Sequence, residues 1–314
     1  MLTYSRLARR PSIFRSFTGL EVSEFDHLYE RVESGYEDYE RERLSRRHRK
    51  RAVGGGGKFK LPLRDRLLML LVYYRLYVTF TLVGFLFDLD QSNVCRDMRY
   101  LEPLVRGCVP IPKNVHKLTR RLRTMEEVEQ FFPGFKAFID STEQEIPRPK
   151  DKAKRKSHYS GKKRRHTVKT QLTVNSNGLI IHRTNHARGR RHDYDIFKRN
   201  HPTLPEGVRP GVDLGYDGIQ NDFPEMKAMI PFKRRSKGRG HKGEKGRRLT
   251  PIQKRFNKRL SKARVVVEHT ISRLKKFNIF GQEFRNRLGH YDLMTDIISG
   301  LVNFRIMGTG GLLT

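Results

Sequence analysis

The sequence predicts an α+β architecture, an all-α N-terminal unit followed by an α/β domain with a mixed sheet. Three patterns carry this expectation. Between Leu61 and Val105 apolar residues recur at helical spacing, interrupted by short polar turns. Between His166 and Thr184 they alternate as in strands, around the turn Asn175-Ser176-Asn177-Gly178. From Pro251 to about Asn278 helical spacing returns as one long run.

Residues 1–57 read as a basic leader with a helical middle that ends in Gly54 to Gly57, a run that cannot hold a helix and is expected to be a flexible linker. Residues 58–112 form the next unit. One helix opens after Leu61-Pro62-Leu63, with Pro62 in its first turn, and runs to about Tyr77. A second covers about Thr79 to Phe87, and a third about Gln91 to Val105, with Asp90 placed to cap it. Helix, tight turn, amphipathic helix is the helix-turn-helix pattern. It puts Gln91, Ser92, Asn93 and Arg96 where a major groove would be read, and Val94, Met98 and Leu101 on the inner side. The stretch Leu67 to Phe87 is apolar enough to suggest a membrane span, but Arg75 lies at its centre, where it would cost about 2.5–3.5 kcal/mol. Two packed helices are the better reading, and no membrane association is expected.

Residues 113–314 form the second domain. A short helix at Met125 to Phe132 leads into an apolar strand, Phe135 to Ile139, that delivers Asp140 at its end. After the hairpin come a helix at Asp193 to Arg199 and a strand from Val208 to Leu214 carrying Asp213. An edge strand at Ala228 to Phe232, the long helix with Thr250 as its cap, and a closing helix from His290 to Met307 complete it. This order resembles that of a ribonuclease-H-like domain.

With 66 Lys and Arg against 33 Asp and Glu, the 314-residue chain carries a net charge of +33. So large an excess repels itself unless a polyanion neutralises it, which points to nucleic acid. The two cysteines, Cys95 and Cys108, have no ligand-spaced partner, so a structural zinc site or disulfide framework is not expected. With no apolar leader segment, the expected location is the cytoplasm, on the nucleoid. Two nearly pure cationic insertions, Arg148 to His166 and Lys233 to Arg248, read as mobile in isolation and as a positive clamp around DNA.

Against this background, carboxylates in apolar surroundings stand out: Asp140, Asp213 and Glu268. Two acids from neighbouring strands and one from a helix suit Mg²⁺ or Mn²⁺, and two such ions about 3.5–4 Å apart serve phosphodiester chemistry. On the long helix Phe256, Leu260, Val267, Ile271 and Leu274 share the core-facing stripe. Arg264, Glu268 and Lys275 fall within about 40° of one another on its flank, which would let Glu268 meet the two aspartates while Arg264 and Lys275 hold phosphates. An Arg264–Glu268 surface ion pair is the alternative for that helix. Asp193 competes with Asp213 as the second acid, and Glu143 reads as supporting or solvated.

Several of these motifs together resemble the DDE transposases of the insertion-sequence-five type, related to Harbinger-like nucleases. They are Asp140-Ser141-Thr142-Glu143-Gln144, Tyr159-Ser160-Gly161-Lys162-Lys163 with His166-Thr167-Val168-Lys169, Asp213-Leu214-Gly215-Tyr216-Asp217-Gly218, and Arg264 through Lys275. The resemblance runs from Phe17 to Asn303. It implies Asp140, Asp213 and Glu268 as catalytic metal ligands, with Arg264, Lys275, Lys162 and Lys163 as phosphate contacts near them. It further implies binding of double-stranded DNA at terminal inverted repeats, metal-dependent cleavage and strand transfer into target DNA, and a homodimer on paired ends. Ser261 stands where such proteins often have Tyr, and Leu214 where they often have Lys or Ser.

Overall fold

The computed structural model describes residues 1–45, 58–233 and 248–309. The Gly54 to Gly57 run and most of the second cationic insertion lie outside the described residues. The chain forms two compact units, residues 1–111 with 273–314, and residues 112–272.

The first unit begins with α1 (Tyr4–Ala8), α2 (Pro11–Thr18) and α3 (Val22–Ser45). These residues were expected to be a basic leader, yet Phe14, Phe25, Leu28 and Val32 are fully buried. Tyr4 stacks on Phe25 at 5.2 Å, and its hydroxyl donates to the Asp26 carboxylate at 2.6 Å. Periodic apolar residues on these short helices supply a core that the net charge of the segment conceals.

The three expected helices follow as α4 (Leu63–Leu76), α5 (Phe80–Phe87) and α6 (Gln91–Cys108). Tyr77 ends α4 at φ 50°, and the Thr79 hydroxyl caps α5 by accepting from the Leu82 amide at 3.2 Å. The apolar stretch is thus two helices, and among the described residues no helix is long and apolar enough to cross a membrane. The turn into α6 depends on Gly84. A Cβ there would lie 2.3 Å from the Leu89 carbonyl oxygen, so the chain can double back only over a glycine. Asp90 sits at the start of α6 as expected, but its side chain caps nothing; its carbonyl accepts from the Asn93 and Val94 amides. Val94, Met98 and Leu101 are buried, and so is the ion pair of Arg66 with Asp97 at 2.6 Å.

The second unit opens with α7 (Pro112–Thr119) and α8 (Met125–Phe131), the latter started by a reciprocal Thr124–Glu127 capping box. The sheet is built from β1 (Lys136–Glu145), β3 (Arg165–Asn175) and β6 (Arg209–Gly211), with α9 (Lys152–His158) and β2 (Tyr159–Ser160) inserted between β1 and β3. β1 is central, antiparallel to β3 and parallel to β6. Along the other edge of β3 lie three short strands: β2, then β5 (Ala187–Arg188), then β4 (Ile180–Arg183). The β3–β4 connection turns at Gly178, φ 83°, as the Asn-Gly pattern predicts. α10 (Asp193–Arg199) and α11 (Ile219–Asp222) belong to one face of this mixed sheet, where Ile139, Phe197, Tyr216 and Ile219 share a core. α12 (Pro251–Lys275), capped by Thr250, lies on the other, with Leu260 beside Phe138 over Gly211. This is the ribonuclease-H-like layering.

Three expectations change. Arg148 to His166 is ordered: the Asp151 carboxylate caps α9 at 2.7 Å, and the chain then pairs with β3. β1 does not stop at Asp140 but continues to Glu145, because β3 pairs along its whole length. The region Ala228 to Phe232 contributes a single bridge, Gly211 with Met229, rather than an edge strand.

The chain ends with α13 (Asn278–Gly281) and α14 (Tyr291–Thr309). The sequence reading carried the second domain to the C-terminus, but α14 groups with the N-terminal helices. Gly300 allows this, since a Cβ there would meet Val109 at 2.4 Å. Asp296 accepts from Arg106 at 2.8 Å, and Arg305 donates to Glu24 at 3.0 Å.

Candidate active site on the central strand

Strand alternation sorts the acids of β1 onto two faces. Ile139, Ser141 and Glu143 point toward α10; Phe138, Asp140 and Thr142 point toward α12. The parallel register ends with Phe138 level with Gly211; continued two residues along each chain it would bring Asp140 and Asp213 side by side, and the charge of Asp213 is felt at Asp140. Asp213 is past the end of β6, held by accepting the Gly215 amide at 2.8 Å as the chain turns into a short 3₁₀ segment, Leu214–Tyr216.

Asp140 is largely enclosed, with its side chain 24% exposed, and the Arg264 guanidinium stands 3.8 Å away. Burial pushes its pKa above the ordinary carboxylate value. The Ser141 amide and Arg264 pull it back, while the charges of Asp213 and, to a smaller extent, Asp193 push it further up. Near it are groups without partners among the described residues: the Arg264 Nε, and the hydroxyls of Thr142 and its cross-strand neighbour Thr170. Buried polar atoms in this condition cost stability unless something binds them.

The opposite face is internally satisfied. Lys169, directly across from Glu143, lies 3.5 Å from that carboxylate and 2.9 Å from Asp193. Thr167 donates to Glu143 at 2.9 Å. Gln171 donates to the Tyr216 hydroxyl at 2.7 Å and to the Asp193 carbonyl at 3.1 Å. Burial pushes the Tyr216 phenol up strongly, so it remains protonated. The sequence reading has Lys169 and Tyr216 only as members of motifs, with no role of their own, and does not bring in Gln171. The signal was present: Thr167, Lys169 and Gln171 are polar residues two apart on a strand and so share one face.

Glu268 was expected to meet the two aspartates. It lies one turn beyond Arg264 on α12, is exposed, and makes no hydrogen bond or ion pair with a described residue. Among the described residues no group of three or more His, Cys, Asp or Glu is drawn together to hold a metal ion. Of the α12 stripe, Leu260, Val267 and Leu274 are buried while Phe256 and Ile271 are half-buried, and Lys275 is exposed in the last turn. Lys162 and Lys163 are exposed at the tip of the β2–β3 hairpin. Arg165, where β3 begins, is about 23 Å along the strand from Leu172, the partner of Asp140, at about 3.3 Å per residue. Gln91, Ser92, Asn93 and Arg96 are all exposed at the start of α6, and Arg96 donates to the Asn93 side chain at 2.7 Å.

The class to which this helical unit and aspartate-bearing mixed sheet belong, the DDE nucleases, is given by comparison with known proteins. Residues 139–303 match the family model of the DDE superfamily endonucleases, and residues 59–111 match the helix-turn-helix of DDE superfamily endonuclease. The chain is also 31% identical over 251 residues to a probable transposase for insertion sequence element IS702 from Microchaete diplosiphon, covering 80% of this chain and 83% of that one. It belongs to the DDE superfamily endonucleases, as a transposase with an N-terminal helix-turn-helix. No solved structure matches it.

Proposed function

We propose that the chain binds the terminal inverted repeats of its own element, cleaves there with the help of Mg²⁺ or Mn²⁺, and transfers the freed end into target DNA. The observation that carries the catalytic part is Asp140, an enclosed carboxylate raised in pKa by burial and by the nearby charge of Asp213. Hard oxygen donors of this kind fit two divalent ions, with Glu268 completing the set from α12. Such ions, when bound, supply an activated oxygen nucleophile and charge neutralisation on the phosphate.

The protein's own groups do the rest. Tyr216, Gln171 and Ser141 form a hydrogen-bonded layer beneath Asp140 that fixes the strand carrying it. Arg264, whose Nε has no partner among the described residues, would hold a phosphate oxygen beside Asp140. Lys275, Lys162 and Lys163 offer further backbone contacts. Gln91, Ser92, Asn93 and Arg96 would read the repeat from the major groove. Two ends must be processed together, so a homodimer is the proposed working form.

The test is cleavage of element-end duplex by the purified chain with Mg²⁺. Cutting by the wild-type chain that vanishes in Asp140→Asn, with duplex binding kept, supports the reading; cutting that persists in that variant contradicts it. The second reading, a catalytically silent DNA-binding protein, is favoured by the exposed, unengaged Glu268. It expects repeat binding and no nicking with either metal.

A further inference from the structure

The first cationic insertion forms a hollow of about 900 Å³ in the second unit. Arg148, Lys152, Arg155, Lys156 and Arg190 line it, and no acidic residue does so among those described. Its walls are built, not loose. α9 is capped by Asp151, and the Arg190 amide donates to the Ser157 carbonyl at 3.2 Å, closing the 189–191 turn against the end of α9. Five cations gathered without a carboxylate need a ligand with several negative charges. Arg155 adds a sharper sign: its Nε is buried and has no hydrogen-bond partner among the described residues.

The hollow also has an aromatic floor. Tyr159 and His166 are directly opposed on β2 and β3, with ring centroids 5.7 Å apart and planes at 70°. Edge-on packing against His166 leaves one face of Tyr159 open, and the residue is 45% exposed. Cations around an open ring are what a single nucleic-acid strand requires, phosphates on the first and a base on the second. A duplex offers phosphates alone, because its bases are stacked on one another. A hollow of this volume has the size of a small-ligand cavity, sufficient for unstacked nucleotides.

We propose that this hollow binds an unpaired stretch of DNA, one base stacked on Tyr159 and the neighbouring phosphates on Arg148, Arg155 and Arg190. The choice of DNA over RNA rests on the DNA-processing function proposed above; the stacking itself does not.

Binding is measured on the full chain by fluorescence anisotropy, without divalent metal and at salt high enough to suppress backbone-only contacts. The probes are a short blunt duplex unrelated to any element end, the same duplex with a thymidine tail, with an abasic tail of equal length, and with an RNA tail. The expected result is a thymidine tail bound roughly tenfold or more tighter than the blunt or abasic probe, the scale of one base–aromatic stack. Tyr159→Ala removes that gain and leaves blunt-duplex binding unchanged, while Tyr159→Phe keeps it. Equal binding of thymidine and abasic tails overturns the proposal, as does tighter binding of the RNA tail or an equal loss for tailed and blunt probes in Tyr159→Ala. No cleavage is read, so an inactive catalytic site leaves the result unaltered.

Discussion

On one face of β1, Glu143 lies 3.5 Å from the Lys169 ammonium, which also holds Asp193 at 2.9 Å. On the other, Asp140 has the Arg264 guanidinium at 3.8 Å and feels the charge of Asp213, which follows the neighbouring parallel strand. The same strand thus carries one carboxylate that the protein neutralises itself and another that it leaves in need of positive charge. A carboxylate already closed into an ion pair and hydrogen bonds serves the fold. One that is enclosed, pushed up in pKa and set beside a like charge is poised for an outside cation. This difference is the reason for assigning Asp213, and not Asp193, as the partner of Asp140.

The largest effect that would sharpen the contrast is on cleavage. Asp140→Asn and Asp213→Asn are each expected to lower metal-dependent cutting of element-end DNA by more than about a hundredfold, since even groups one step removed from a metal cost up to that much. Neither variant should melt at a lower temperature than the wild type.

Next in size is the satisfied face. Lys169→Met strands Glu143, whose side chain is 10% exposed, and is expected to cost about 3 kcal/mol in urea unfolding. Adding Glu143→Gln should recover part of that loss. A Lys169→Met protein as stable as the wild type would show that the ion pair is not what satisfies this face.

A smaller effect follows from proton linkage. Above the ordinary carboxylate value of 3.8, the folded protein keeps a proton on Asp140 that the unfolded chain has released. Metal-free protein should therefore lose stability as pH rises from 3.8 through the raised pKa. The loss amounts to about 1.4 kcal/mol for each pH unit separating the folded and unfolded values, and Asp140→Asn should flatten that slope. Denaturation midpoints followed against pH, with and without Mg²⁺, check this; Mg²⁺ should offset the loss. The smallest effect is Asp193→Asn, expected to change cleavage only a few-fold, because its carboxylate already belongs to Lys169.

The helices of residues 58–112 and the β3–β4 turn were legible because their signals are local. Thr79 caps the helix it precedes, Asn175 to Gly178 turn where the pattern says, and Val94, Met98 and Leu101 bury the face their spacing selects. Asp140 and Asp213 could be singled out as acids in apolar runs. Their nearness could not, since it depends on a parallel register between strands some seventy positions apart in sequence. The pairing of Lys169 with Glu143 was hidden for the same reason. In the insertion, composition misled: the cations Lys152, Lys154, Arg155 and Lys156 read as disorder, although Asp151 just ahead of them is an N-cap signal. Glu268 shows the reverse limit. Helical spacing put it on the flank of the buried stripe, whereas the residue is exposed, and spacing along one helix does not say how closely that flank approaches the sheet.

The most direct test of the contrast between the two faces is Mn²⁺ binding, followed by water-proton relaxation on the wild type, Asp140→Asn, Asp213→Asn and Asp193→Asn in the absence of DNA. Mn²⁺ binding is expected to be lost in the first two variants and kept in Asp193→Asn. Binding lost in Asp193→Asn and kept in Asp213→Asn would contradict this.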